Sequence, residues 1–324
     1  MIEWFRSWFL GLIQGLTEFL PISSDGHLSL FQILTRREGA QGSETGSDFI
    51  FFDVMLHVGT TVAIVWYYRD PLLRALRGFF GRRDEGEGYS RGALVRLGFL
   101  VLVATLPLGP LKLFFMDTIE QLYQSLTAVG LGFLATAVVL VITFFLPGGS
   151  KGPREMTWID ALVIGLAQAL APLPGVSRSG MTVAAGLIRG LSKGWAVGFS
   201  LMIVVPAIVA ASASELMDAN ITEIGGERWL QILTATLIAG VVGYFAISWL
   251  VRVVRSSKLW YFAVYLFLLS GWILLFLVPT HATKPNPNVD AHTLDRAQPR
   301  RFDLDNHRLD REATRVEDFL ARSR

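Results

Sequence analysis

The chain has 324 residues, 52% of them hydrophobic and only 17% charged, too little charge to coat a soluble domain. A formal net charge of +2 is too small to point to nucleic acid, and no nucleic-acid partner is expected. Cysteine is absent, which excludes disulfides and thiolate metal centres. Several windows of about 20 apolar residues match bilayer thickness, so the chain reads as an all-α polytopic membrane protein.

In chain order, an apolar region over 4–35 is interrupted midway at "PISSDG". It carries Gln14 and Glu18 and has no charged leader, so it does not read as a cleavable signal peptide. Strong spans follow at 49–68, 93–115 and 122–146. A second interrupted region, 158–190, breaks at "PLPGVSRSG", and further spans follow at 194–212, 229–251 and 258–279. Broken helices at membrane depth are tolerated only where the freed backbone is buried in protein or lines a cavity. Both regions are therefore expected to be re-entrant helix–loop–helix hairpins beside six transmembrane helices.

The two broken regions resemble each other. Gly11-Leu12-x-Gln14-x-Leu16 matches Gly165-Leu166-x-Gln168-x-Leu170, and Leu20-Pro21 then Ser-Ser-Asp-Gly matches Leu173-Pro174 then Ser-Arg-Ser-Gly with small gaps. Three spans follow each hairpin, and an odd number reverses the orientation of the second half. The expectation is an inverted-topology repeat whose broken elements meet near the midplane: residues 1–146 as first repeat, 147–279 as second, and 280–324 as a tail. That tail is charged and poor in large apolar residues, which predicts disorder, with a short helix conceivable over 307–322.

Lys and Arg in short loops set orientation. Arg69, Arg74, Arg77, Arg82, Arg83 and Arg91 follow the first span; Lys151 and Arg154 lie in 147–157; Arg252, Arg255 and Lys258 lie in 252–258. All fall on one side if the spans alternate, and the loops assigned to the other side, 116–121 and 214–227, are acid-rich. The expectation is a cytoplasmic cationic side, with both termini outside.

The polar residues concentrate at the breaks. Glu18 lies four residues after Gln14, on one helix face; Pro21 ends that helix, and Ser24 and His27 share a face if a new helix starts there. The second break holds Ser177, Arg178, Ser179 and Thr182 next to Gly175 and Gly180. Such turns offer N–H groups and a positive helix end to an anion. Polar groups at this depth are costly and mark function by default. Taken singly, Ser23, Ser24 and Asp25 are good N-caps, and Arg178 has the option of snorkelling to a headgroup. His57 is best read as a helix–helix hydrogen-bond partner, and Asp53 and Arg96 as interfacial.

At these residues the chain resembles the undecaprenyl-diphosphate phosphatases of bacterial inner membranes, the bacitracin-resistance type. One signature is carried by Gln14, Glu18, Ser23, Ser24, Gly26 and His27; the other by Pro174, Gly175, Ser177, Arg178, Ser179 and Thr182. The resemblance spans roughly 1–279. Asp25 stands where a hydroxyl residue is expected and His57 where Gln is expected, while Gln14 in place of Glu removes one negative ligand.

The resemblance implies dephosphorylation of a C55 polyprenyl diphosphate lipid to its monophosphate, the carrier for peptidoglycan and cell-wall synthesis, at the outer face of the bilayer. In this reading Ser24 is the nucleophile, with His27 accepting its proton or protonating the leaving group. Arg178, with Ser23, Gly26, Gly175, Ser177, Ser179 and Thr182, binds phosphoryl oxygens. Gln14 and Glu18 are candidate ligands of Mg²⁺ or Ca²⁺; alternatively Glu18 orients His27 without metal. A homodimer is compatible with the sequence. A polyprenyl-phosphate flippase or secondary transporter would share the inverted-repeat architecture, but has no need of a nucleophile and imidazole spaced for proton exchange. A type-2 phosphatidic acid phosphatase would require a His after Ser177-Arg178, where "SGMTVAAG" stands instead.

Overall fold

Gly11 and Gly15 decide how the first helix packs. They lie in α1 (Ile2–Thr17) and face α11 (Gly226–Arg255), where a Cβ at either would come within 2.5 Å of the Ala235 or Ala239 carbonyl oxygen. Small residues allow this close backbone approach between membrane helices. Gly165 plays the same part in α8 (Trp158–Ala169), where an added Cβ would lie 2.6 Å from the Ala104 carbonyl oxygen of α5 (Arg91–Thr105).

The computed structural model describes residues 2–35, 46–81, 87–146, 148–218 and 225–282. Among these, five helices are long and apolar enough to cross a membrane: Arg91–Leu111, Leu126–Phe144, Lys193–Ala210, Gly226–Arg255 and Trp260–Thr280. A sixth crossing is counted if Phe51–Tyr67 and Arg69–Phe80, bent by 72° at their junction, are taken as one broken span. The protein is thus an all-α, multi-pass membrane protein.

The remaining elements are α2 (Ser24–Thr35), α3 (Gly46–Tyr67), α4 (Arg69–Phe80), α6 (Leu108–Tyr123), α7 (Leu126–Phe144), α9 (Arg178–Ile188), α10 (Lys193–Asp218) and α12 (Trp260–Trp272). α12 runs through a π-helical stretch, Ile273–Leu277, into α13 (Val278–Ala282). The two broken apolar regions fold as α1 with α2 and α8 with α9, at 16, 12, 12 and 11 residues. Each is shorter than the roughly 20 residues a spanning helix requires.

Two expectations are corrected. The cationic stretch after the first span is not a plain loop, because α4 occupies 69–80 and a 3-10 turn occupies Glu87–Tyr89. Alternation of Arg with Leu and Phe sustains an amphipathic helix there. The acid-rich 116–121 segment lies inside α6, whose Leu, Phe and Met favour helix over loop. Of the disordered tail expected over 280–324, residues 280–282 are helical, continuing α13, and the rest, with its helix over 307–322, lies outside the described residues.

Residues Met1–Pro279 form one compact unit. Its core is filled by Phe133 and Leu140 of α7, Phe199 and Ile203 of α10, and Phe19 and Leu20 from the first break, all at most 1% exposed. α1 and α3 pack on α11, α8 and α10 on α5, and α12 on α7. A polar clasp gathers on Asp160, in the first turn of α8 and fully buried. Its carboxylate accepts from Arg189 Nε at 2.7 Å, Lys151 Nζ at 3.2 Å and the Thr157 backbone N–H at 2.9 Å. Burial works against ionisation, but these donors outweigh it and lower the Asp160 pKa to about 2.

Candidate active site

The first break begins where α1 ends at Thr17. Pro21 has no N–H to extend the helix, and Ser23 turns the chain with φ +69°, the left-handed region seldom used by residues with a Cβ. Ser23 then caps α2, its Oγ accepting from the Gly26 N–H at 3.2 Å. The second break does the same: Ser177 caps α9, its Oγ accepting from the Gly180 N–H at 3.2 Å. Gly175, at φ +82°, supplies the left-handed turn.

The two breaks touch. A Cβ on Gly26 would lie 2.7 Å from the Gly175 Cα and from the Phe133 ring. Ser179 Oγ, in the second break, donates to the Leu20 carbonyl of the first at 3.0 Å. α7 forms the floor: Thr136 Oγ1 donates to the Gly175 carbonyl at 3.0 Å and accepts from the Ser177 N–H at 2.9 Å.

At this contact the side chains converge on Glu18, which is 4% exposed. Its Oε1 accepts from Arg178 Nη2. Its Oε2 accepts from Ser24 Oγ at 2.8 Å and from Gln14 Nε2 at 3.1 Å. His57 Nε2, from α3, stands 3.9 Å from the same oxygen, while its Nδ1 donates to the Asp53 backbone carbonyl at 3.0 Å and lies 3.6 Å from the Asp53 carboxylate. Asp25 accepts from the Tyr123 hydroxyl at 3.3 Å. A buried acid is stabilised here by a guanidinium, a hydroxyl and an amide, as a carboxylate out of water requires.

His27 is engaged elsewhere. Its Nδ1 donates to the Ser23 carbonyl at 2.7 Å, which leaves Nε2 to accept from the Tyr265 hydroxyl at 2.7 Å in the neutral ring. The Tyr265 ring stacks on it with centroids 5.8 Å apart, and Phe133 meets it edge-on at 4.9 Å. The hydrogen bond made by the Ser24 hydroxyl therefore goes to Glu18, not to His27.

The hydroxyls of the second break are largely committed to structure. Ser177 caps α9 and meets Ser179 Oγ at 3.2 Å. Thr182 Oγ1 donates to the Arg178 carbonyl at 2.8 Å and meets Ser200 Oγ of α10 at 2.6 Å. Of the residues singled out in the second break, Arg178 alone sends its side chain to the Glu18 cluster.

Sequence reading missed Tyr265 and Tyr123 and took Asp53 as interfacial; His57, read as a helix–helix partner, faces Glu18 from α3. Asp53 and His57 are four apart, so their shared face was readable; nothing local reveals that this face meets Glu18. Tyr265 lies in a span that is apolar all round, and only packing singles out its hydroxyl. As to a metal, among the described residues no three His, Cys, Asp or Glu side chains gather as a ligand set. Gln14 Oε1, however, is buried beside Glu18 without a hydrogen-bond partner, an oxygen of the kind hard cations take.

These features define a polytopic membrane protein with a buried acid–guanidinium–hydroxyl site between two helix breaks. A family model, bacitracin resistance protein BacA, matches residues 7–272. The undecaprenyl-diphosphatase of Alkaliphilus metalliredigens is 35% identical over 278 residues, covering 84% of this chain and 98% of its own. That of Halothermothrix orenii is 36% identical over 274 residues, covering 85% and 98%. That of Mycobacterium ulcerans is 34% identical over 281 residues, covering 86% and 98%. The chain belongs to the bacitracin resistance protein BacA family.

Proposed function

We propose that this protein is a membrane-embedded phosphatase that hydrolyses undecaprenyl diphosphate to undecaprenyl phosphate and inorganic phosphate. That activity recycles the lipid carrier of peptidoglycan synthesis and underlies bacitracin resistance. The observation that carries the mechanism is the Ser24 hydroxyl on Glu18, which is itself paired with Arg178 from the other break.

Phosphoryl transfer demands positioning and charge stabilisation above all. As the diphosphate enters, Arg178 exchanges Glu18 for phosphoryl oxygens, with the amides at the start of α9 beside it. Losing its guanidinium partner makes Glu18 a better base. Ser24 Oγ attacks the terminal phosphorus, the bridging P–O bond breaks towards the lipid monophosphate, and the Ser24 proton passes to Glu18 Oε2. Water then attacks the phosphoserine, and Glu18 returns its proton to Ser24 Oγ as the P–O bond breaks. The proton lost by the water is assigned to His27 Nε2 through its Tyr265 partner, so that phosphate leaves and Ser24 is restored. A divalent cation, Mg²⁺ or Ca²⁺, would sit at Gln14 Oε1 and Glu18, where it would supply positive charge for the diphosphate. Ser23, Gly26, Gly175, Ser177, Ser179 and Thr182 act by shaping and closing the phosphate turn.

We infer an inverted repeat of residues 1–146 and 147–279. Its support is the exchange of partners: α1 lies on α11 and α8 on α5, each the middle span of the opposite half. The matched glycines Gly11 and Gly165 make those contacts, and the caps Ser23–Gly26 and Ser177–Gly180 have the same geometry. The site opens on the outer face of the plasma (inner) membrane, with both termini outside, since the Lys- and Arg-rich end is cytoplasmic.

Purified protein in detergent, with C55 diphosphate lipid, should release phosphate without any gradient. A chelator should slow release if the cation is required. Binding of the lipid without phosphate release would instead favour a flippase or transporter.

A further inference from the structure

α4 is an amphipathic helix whose apolar side chains are left exposed. Residues Leu72, Leu73, Leu76 and Phe80 are 42%, 47%, 55% and 79% exposed, and no residue of the helix is buried. At 100° per residue, these side chains and Phe79 fall on one side of the wheel, with Asp70 and Arg74 across from them and Arg77 at the border beside Leu73. Across from them Gly78 lies against the Tyr89 backbone, and at the edge of the apolar side Arg91 sits over the Phe79 ring, 5.3 Å from its centroid.

What covers the apolar side follows from where the helix starts. It leaves the end of α3 at a 72° bend, directly after Trp66, Tyr67 and Tyr68. Aromatic clusters at a span end mark the headgroup level. Arg69 folds back there, its Nη1 donating to the Trp66 carbonyl at 3.0 Å and its guanidinium 5.2 Å from the Trp66 ring centroid. A helix turned sharply at that depth, apolar on one side and cationic on the other, has the build of an interfacial helix. The same end of the protein is cationic. Arg96 of α5 holds the Pro153 carbonyl at 2.7 Å, next to Lys151 and Arg154, and Lys193 reaches Ser257 beside Lys258.

We propose that α4 is a lipid-docking element. Its Leu72–Leu76–Phe80 face seats in the acyl boundary, and Arg74 and Arg77 bind anionic phospholipid headgroups. This interaction is independent of the hydrolytic site.

The absence of cysteine makes the test clean. Single variants Leu76→Cys and Arg74→Cys, spin-labelled and reconstituted in phosphatidylcholine–phosphatidylglycerol nanodiscs, report depth. The label at 76 should be severalfold more accessible to oxygen than to a water-soluble nickel chelate, with the preference reversed at 74. Equal water access at both positions would overturn the docking. So would a label at 76 shielded from both reagents and broadened by a second label, which would place a second copy of the chain there. For the headgroup, phosphatidylglycerol should raise the thermal midpoint of the full-length protein more than phosphatidylcholine does. Arg74→Gln with Arg77→Gln should remove at least half of that excess, and the paired Lys variants should keep it, with phosphate release unchanged throughout. An excess identical in wild type and the Gln variant, or no excess at all, would overturn the anionic-lipid assignment.

Discussion

Arg178 and Glu18 stand 160 residues apart in sequence and form a direct ion pair, guanidinium Nη2 on carboxylate Oε1. The Glu18 side chain is 1% exposed and that of Arg178 21%. In so dry a setting each charge depends on the other, and removing one partner of such a pair typically costs about 3–5 kcal/mol. The pair therefore joins the two breaks.

Ser24→Ala should abolish phosphate release while leaving lipid affinity within a few-fold of wild type, because the hydroxyl bonds Glu18 at 2.8 Å and its loss leaves Arg178 in place. Isothermal binding of a diphosphate lipid alongside turnover separates the two. Turnover near wild type would remove Ser24 from the nucleophile's position.

Arg178→Lys should lower kcat/KM by about 100-fold or more, since a point charge cannot present the planar fork that matches phosphoryl oxygens. Steady-state kinetics on protein shown to be folded provide the measure. Wild-type kinetics would make Arg178 purely structural.

Tyr265→Phe keeps the ring stacked on His27 but deletes the hydroxyl 2.7 Å from Nε2. A hydrogen bond of this kind contributes about 1 kcal/mol, so kcat should fall roughly five- to tenfold with KM little changed. An unaltered kcat would show that Tyr265 does not position the imidazole.

The Asp160 clasp makes a stability prediction. Its carboxyl is held at about 2, below the ordinary value of 3.8. The contribution is therefore fully present above about pH 4 and is lost as pH falls through 2. Thermal unfolding of detergent-solubilised protein should weaken over that window, and Asp160→Asn should flatten the dependence while lowering the midpoint at neutral pH.

The all-α, multi-pass class and the two helix breaks were legible in the sequence because apolar runs of bilayer length and Pro-Gly-Ser interruptions are local signals. The Glu18–Arg178 meeting was also within reach, since both residues sit at matched breaks. The direction of hydrogen bonds was not. Ser24 and His27 share a helical turn, yet Ser24 turns to Glu18 and His27 to Tyr265 on α12. That choice is made by helices distant in sequence, and periodicity carries no trace of it. The same holds for Thr182, whose hydroxyl meets Ser200 on α10. The 72° bend into α4 was hidden for another reason: Arg-rich segments after a span read equally as loop or interfacial helix.

A double-mutant cycle on phosphate release, with Glu18→Gln, Arg178→Gln and both together, addresses the shared site most directly. If the two side chains act as one unit across the breaks, the double variant should be about as impaired as the worse single variant. Losses that simply multiply would place Glu18 and Arg178 in independent roles and contradict a site built from both breaks.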